Sequence, residues 1–154
     1  MRFFVTGILG QLGATIMSML PEGTSFGNDL PEFDITRVEQ VRSAICAAEP
    51  DVVIHCAAFT DVDGCARNPE KAHAVNAAGT HNVAVVCAEH GAALVLLSTN
   101  EVFDGRSTLP YVETDDPAPT NPYGQSKHDA ESYTRALLER YYIVRTSWMY
   151  AAGG

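Results

Sequence analysis

Tyr123 and Lys127 stand four residues apart in the stretch NPYGQSK, Asn121 to Lys127. If the residues after Pro122 are helical, the two side chains share one face, a single turn apart. A free tyrosine ionises near pH 10 and is a poor proton shuttle at neutral pH. A neighbouring ammonium favours the phenolate, so Lys127 is expected to draw the tyrosine pKa toward the working range. The spacing alone recurs by chance and would describe two polar residues on a helix surface. Thr99 adds weight: it closes the apolar run ALVLLST (93–99), where its hydroxyl can donate to a substrate carbonyl at the carboxyl edge of a strand.

A second stretch, VTGILGQLG, carries a different chemistry. Gly7, Gly10 and Gly13 follow a short apolar run and open a helical pattern. Glycines in that setting permit a tight turn and a close approach of backbone to a pyrophosphate, while the helix N-terminus offers free N–H groups and a favourable dipole. The spacing is G-x-x-G-x-x-G, not the commoner G-x-G-x-x-G, so its weight comes from the strand–turn–helix context. Asp29, near the end of a second β-rich run, is placed to accept hydrogen bonds from the adenosine ribose hydroxyls. Its charge repels a 2′-phosphate, and no arginine or lysine lies close by to hold one. The residues therefore favour NADH over NADPH.

These groups need a frame. RFFVT (2–6), TSFGN (24–28), DVVIHCAA (51–58), ALVLLST (93–99) and YYIVRTS (141–147) read as strands, with FDIT (33–36) as the stub of another. Between them lie helical patterns: 11–20 with Leu12, Ile16 and Met19 on one face; a helix opened by a Thr36/Glu39 capping box with Val38, Val41 and Ile45; one capped at Asn68-Pro69 that runs on through Val86; and one over 122–140. Residues 100–121 form a long loop rich in Pro, Asp and Thr, a length that usually signals function. Strands that read as continuous apolar runs and alternate with helices predict a doubly wound parallel α/β sheet of the Rossmann type, in a single domain over 1–154.

The chain has 154 residues and a formal net charge of −9, which argues against a nucleic-acid partner. No apolar run approaches the roughly 20 residues of a membrane span, and MRFFVTG is too short for a signal-peptide core. Cys46, Cys56, Cys65 and Cys87 show no C-x-x-C spacing, so buried free thiols of a cytoplasmic protein are expected, with no metal site.

Taken together, TGxxGxxG, the Ala57-Ala58 strand end, STNEVFDG (98–105), YGQSK and RTSWMY (145–150) resemble the extended short-chain dehydrogenases/reductases, and within them the dTDP-4-dehydrorhamnose reductase family. The resemblance implies that Thr99, Tyr123 and Lys127 form a catalytic triad. Tyr123 would then protonate the oxygen of a 4-keto sugar nucleotide that NADH or NADPH reduces, with Lys127 also holding the cofactor ribose. It implies a cofactor site of Gly10, Gln11, Leu12, Asp29, Asp34, Ile35, Ala58, Phe59 and Thr60. It further implies sugar-nucleotide contacts from Thr99, Asn100 and Trp148, with Asn76 a fourth polar group near the site. One departure stands out: the family reads STDYVFDG where this chain has Asn100 and Glu101. Family chains continue past RTSWMY into a smaller substrate region, so 1–154 is expected to be the cofactor half, truncated before that region, with apolar surface that favours a homodimer. Two other readings share these motifs: a non-catalytic dinucleotide-binding regulatory module, and an NAD-dependent sugar-nucleotide epimerase or dehydratase.

Overall fold

In the computed structural model, residues 1–150 are described; 151–154, the end of the expected domain, lie outside the described residues. The elements alternate as the sequence predicts: β1 (Phe3–Thr6), α1 (Gln11–Met19), β2 (Ser25–Asn28), α2 (Val38–Ala48), β3 (Val52–His55), α3 (Val62–Arg67), α4 (Pro69–Ala72), α5 (Gly79–His90), β4 (Ala93–Thr99), α6 (Pro122–Leu137) and β5 (Tyr141–Thr146). A π-helical turn, His73–Ala78, joins α4 to α5, and a 3₁₀ turn, Asn100–Val102, follows β4. Among the described residues no helix is long and apolar enough to cross a membrane.

All neighbouring strands pair in parallel, in the order β2-β1-β3-β4-β5. The chain steps one way from β1 to β2 and the other way from β2 to β3, β4 and β5. Right-handed crossovers therefore place α1 on one face and α2, α5 and α6 on the other. The packing agrees: α2 contacts α5, α5 contacts α6, and α1 packs on β1. The core lies under that three-helix layer, where Phe4, Val41, Ile45, Val53, Val83, Val86 and Leu94 are almost wholly buried and Phe4 meets Phe33 edge-on at 5.9 Å. At the far edge, Tyr142 and Val144 of β5 stay exposed.

Several local expectations are corrected. FDIT is not a strand: Asp34 Oδ1 accepts from both the amide and the hydroxyl of Thr36, at 2.9 and 2.7 Å, and folds the segment into a turn. The turn carries Thr36 one residue outside the helix, so no capping box forms; α2 starts at Val38 with Arg37 at its N-cap and no side-chain cap. Strand pairing in DVVIHCAA stops at His55, because the chain must turn beneath Gly7. The short α3 was not foreseen; Asp61 caps it by accepting from Gly64 N at 2.9 Å. The Asn68 cap does form, accepting from Lys71 N at 3.0 Å, but the helix it opens carries the π-helical turn. Met19 sits on the exposed side of α1, α6 ends at Leu137, short of 140, and Cys46 is an exposed thiol.

Candidate active site

The carboxyl ends of β1 and β3 lie side by side where the crossovers diverge, the place at which open α/β sheets bind ligands. Gly7 turns there with φ +76°, and a Cβ on it would sit 2.7 Å from Ala57 N. A Cβ on Gly13 would run into the Gly7 carbonyl oxygen. The turn can only be this tight with glycine at both positions. Gly10 is the N-cap of α1, with no side-chain cap and no acidic residue in the first turn, so the helix N-terminus points bare amides at the groove. A cradle that a Cβ would fill, opening on an uncapped helix, suits the phosphates of a dinucleotide.

Asp29 closes the other end of this turn. Its Oδ2 accepts from Leu9 N and its Oδ1 from Leu30 N, both at 2.8 Å. An ionised carboxylate has about four acceptor positions, so capacity remains for two ribose hydroxyls. Asp29, Asp34 and Ile35 line a groove of about 300 Å³ that shares Gly7, Gly10, Cys56 and Ala58 with a larger cleft of about 430 Å³. The larger cleft gathers Gln11, Leu12, Gly13, Thr60, Thr99, Asn100, Tyr123, Lys127 and Trp148. Residues as far apart as 7 and 148 therefore face one continuous depression.

In the cleft, Asn121 caps α6 by accepting from Gly124 N at 2.8 Å, and Pro122 opens its first turn, so Tyr123 and Lys127 project from the start of a well-anchored helix. Close packing fixes α6 against the end of β4: a Cβ on Gly124 would strike the backbone of Glu101. Lys127 is 4% exposed. Burial pulls its ammonium down to about 8, against the opposing pull of Glu131 and Cys56. Burial pushes the Tyr123 phenol up from its ordinary value, with the Thr99 hydroxyl acting the other way. The expectation that Lys127 lowers the tyrosine pKa is thus not met here: desolvation wins, and Lys127 does not figure among the influences on the phenol. Cys56, between the two grooves, is pushed up to about 11 by burial and stays a neutral thiol.

A polar chain beneath the cleft holds it in shape. His55 is buried, and desolvation drops it to about 3, so its ring is neutral. Thr80 Oγ1 donates to Asn76 O at 2.6 Å, which leaves its oxygen free to accept from His55 Nε2 at 3.1 Å. Nδ1 is then the acceptor for the Thr6 hydroxyl at 2.7 Å, and Thr6 Oγ1 accepts from Ala57 N at 3.1 Å. Every proton in the chain has one direction, from Ala57 at the groove to the π-helical turn. Asn76, in that turn, clasps Phe59 by accepting from its N–H at 2.7 Å and donating to its carbonyl at 3.0 Å, and it donates to Ser126 Oγ on α6 at 3.0 Å.

Most sequence-predicted residues meet here; Phe59 and Asn76 do not. The Phe59 ring lies under the Lys71 ammonium, 4.6 Å from its centroid, and lines neither groove. Asn76 is buried and acts on the Phe59 segment and α6, not on the cleft. Cys56 and the Thr6–His55–Thr80 chain were missed. A histidine inside an apolar strand was the available signal, because a buried imidazole needs two partners. Glu101, the departure noted in STNEVFDG, lines the cleft with its Oε2 held by Asn121 Nδ2 at 2.6 Å.

Sheet order, glycine turn and switch-point groove define a Rossmann-type domain of the nucleotide-binding reductase and epimerase kind. Within that class the chain belongs to a particular family, that of the RmlD substrate binding domain, whose profile matches residues 1–154. It is 40% identical over 161 residues to the dTDP-4-dehydrorhamnose reductase of Streptomyces griseus, covering 99% of this chain and 51% of that one. To the probable low-salt glycan biosynthesis reductase Agl14 of Haloferax volcanii it is 38% identical over 166 residues, covering 100% of this chain and 55% of the other. The crystal structure of dTDP-4-dehydrorhamnose reductase from Bacillus anthracis in complex with NADP superposes with a TM-score of 0.95 at 39% identity, over 99% of this chain and 55% of that one. The chain spans about half the length of the curated relatives it matches.

Proposed function

We propose that residues 1–154 are the cofactor-binding half of an NAD(P)H-dependent reductase of a 4-keto sugar nucleotide, of the kind that makes dTDP-L-rhamnose, at work in the cytoplasm. The observation that carries this reading is the convergence of Thr99, Tyr123 and Lys127 on a cleft continuous with the glycine turn. Relatives named as dTDP-4-dehydrorhamnose reductases support the substrate class.

Gly7, Gly10 and Gly13 with the α1 amides would hold the pyrophosphate, and Asp29 the adenosine ribose. The bound dinucleotide supplies the hydride. Thr99 donates a hydrogen bond to the ketone oxygen and orients it toward the phenol. Tyr123 gives its proton to that oxygen as negative charge develops there. A raised phenol pKa serves this direction, because the proton donor stays protonated at neutral pH until a more basic oxygen appears. Lys127, still mostly charged at pH 7 with a pKa of about 8, stabilises the phenolate left behind. Asp29 supports NADH as the preferred cofactor; the Bacillus anthracis relative holds NADP, so dinucleotide binding is the shared feature and the preference rests on Asp29.

The substrate region would come from polypeptide outside these residues. Exposed Tyr142 and Val144 on edge strand β5 support a further layer there, supplied by a longer chain or by a second copy in a homodimer. Single-turnover mixing of a dTDP-4-keto-6-deoxyhexose with NADH-saturated protein that carries this half together with its substrate region tests the reductase reading. Loss of nicotinamide absorbance that vanishes in Tyr123→Phe supports it. Dinucleotide binding with no such loss supports a non-catalytic binding module instead.

A further inference from the structure

Directly below the cleft lies a carboxylate that the proton transfer itself does not use. Glu131 is 0% exposed, and Ser98 Oγ donates to its Oε1 at 2.5 Å. Arg145 grips it with two arms, Nε to Oε1 at 2.9 Å and Nη2 to Oε2 at 2.7 Å, and Arg135 Nη2 reaches Oε2 at 2.9 Å. The three elements tied together are those that build the reacting end of the cleft. Ser98 precedes Thr99 on β4, Arg145 precedes Thr146 on β5, and Glu131 follows Lys127 by one turn of α6.

A buried ion pair of this kind is a poor way to gain stability, since apolar residues of similar volume usually do as well. Its place under three cleft-lining elements fits another role. We propose that Glu131 is a positioning residue that sets Thr99 and Lys127 in register across the cleft floor and fixes a negative charge one helical turn from the Lys127 ammonium. This rests on the reading of Tyr123 and Lys127 as proton donor and partner.

The surroundings of Lys127 leave little else for that task. On α6 itself its neighbours are Glu131 and the neutral Tyr123 phenol; from the end of β3 come the neutral His55 ring and the Cys56 thiol, whose pull on the ammonium is second to that of Glu131, and the Glu101 carboxylate on the same cleft is held by Asn121. Burial pushes the Glu131 carboxyl up, but hydrogen bonds from Arg145, Ser98 and Arg135 outweigh it and hold the group below the usual carboxylate range. It therefore stays ionised wherever Lys127 titrates. Arg135 and Arg145 act against the ammonium, yet their charge reaches it across the carboxylate that they bind.

The chain contains only two lysines, Lys71 and Lys127, so lysine-selective ¹³C labelling gives one exposed internal reference and one reporter. Titrating the Cε shifts by NMR needs no cofactor or substrate, so its outcome is separate from whether the reductase reading holds. Glu131→Gln is expected to move the Lys127 midpoint down by about one pH unit while Lys71 stays put. Ser98→Ala, which removes a hydrogen bond but no charge, is expected to leave it in place. A folded Glu131→Gln chain with an unmoved Lys127 midpoint overturns the proposal. If that variant does not fold, Arg135→Gln is the substitute, because the arginine side chain is 41% exposed. It unmasks the carboxylate and is expected to raise the midpoint, and no shift there overturns the proposal equally.

Discussion

The two ends of the groove are built from different materials. At the β1–α1–β2 end the ligand-facing groups are mostly backbone: a positive-φ glycine, bare helix amides, and one carboxylate whose oxygens are already tied to Leu9 and Leu30. At the β4–α6–β5 end they are side chains, held by buried polar contacts from Ser98, Asn76, Asn121 and Glu131. A backbone site is specified by what is missing, namely Cβ atoms. A side-chain site is specified by partners up to 50 residues away, as Asn76 and Ser126 show. The first should tolerate no added bulk but many changes of charge, and the second the reverse.

Adding bulk at the backbone end should do the greatest damage. Gly13→Val would force the turn open against the Gly7 carbonyl and is expected to weaken dinucleotide binding by about 100-fold or more, with a stability loss on the order of 3 kcal/mol. Calorimetric titration and thermal melts check both numbers. At the side-chain end, Tyr123→Phe should leave binding and melting nearly unchanged while lowering any reductive turnover by about 10²–10⁴-fold. Equal losses in both assays for the two variants would erase the contrast.

The pH dependence of stability sharpens it. Lys127 titrates at about 8 when folded, against 10.5 as its ordinary value, so its own contribution to stability rises with pH between these values, while the buried Cys56 and Cys87 thiols work the other way above about 9. The gain is up to about 3 kcal/mol, and Lys127→Met should flatten it. His55 works at the other limit: it is neutral when folded down to about 3 but protonates near 6.5 when unfolded, so stability falls as pH drops through that window. Denaturant midpoints measured from pH 4 to pH 9, with Lys127→Met as the reference above pH 7.5, trace both slopes. The smallest effect is expected from Asp29→Ala, which should cost NADH about tenfold in affinity and narrow its advantage over NADPH. Unchanged preference would place cofactor choice elsewhere.

The same contrast explains what could be read from the sequence. The glycine turn was legible because glycine spacing directly after an apolar run records local backbone geometry. The doubly wound parallel sheet followed from the alternation of apolar strands with helices, while the strand order did not. Tyr123 and Lys127 were legible because helix periodicity is local too. What was not legible depends on competition between distant or neighbouring groups. Thr36 looked like a helix cap, but the Asp34 turn leaves it one residue outside the helix, and Phe59, expected at the cofactor, has its backbone clasped by Asn76 and its ring under Lys71. The phenol was expected to be acidified by a lysine, but the same burial that brings the two together raises one pKa and lowers the other. Cys56 read as strand interior, although pairing ends one residue earlier and leaves it at the junction of both grooves.

Trp148 is the only tryptophan, 82% exposed on the wall of the larger cleft, and so a natural donor to a bound nicotinamide. Titrating the chain with NADH and, separately, with NADPH while following energy transfer from Trp148 tests the central claim directly. Saturable transfer for both, tighter for NADH, is the expected result and would place the nicotinamide beside the Tyr123–Lys127 end of the cleft. Absence of saturable binding by either dinucleotide would contradict the account, leaving the glycine turn without a ligand and the Tyr–Lys pair without a cofactor to serve.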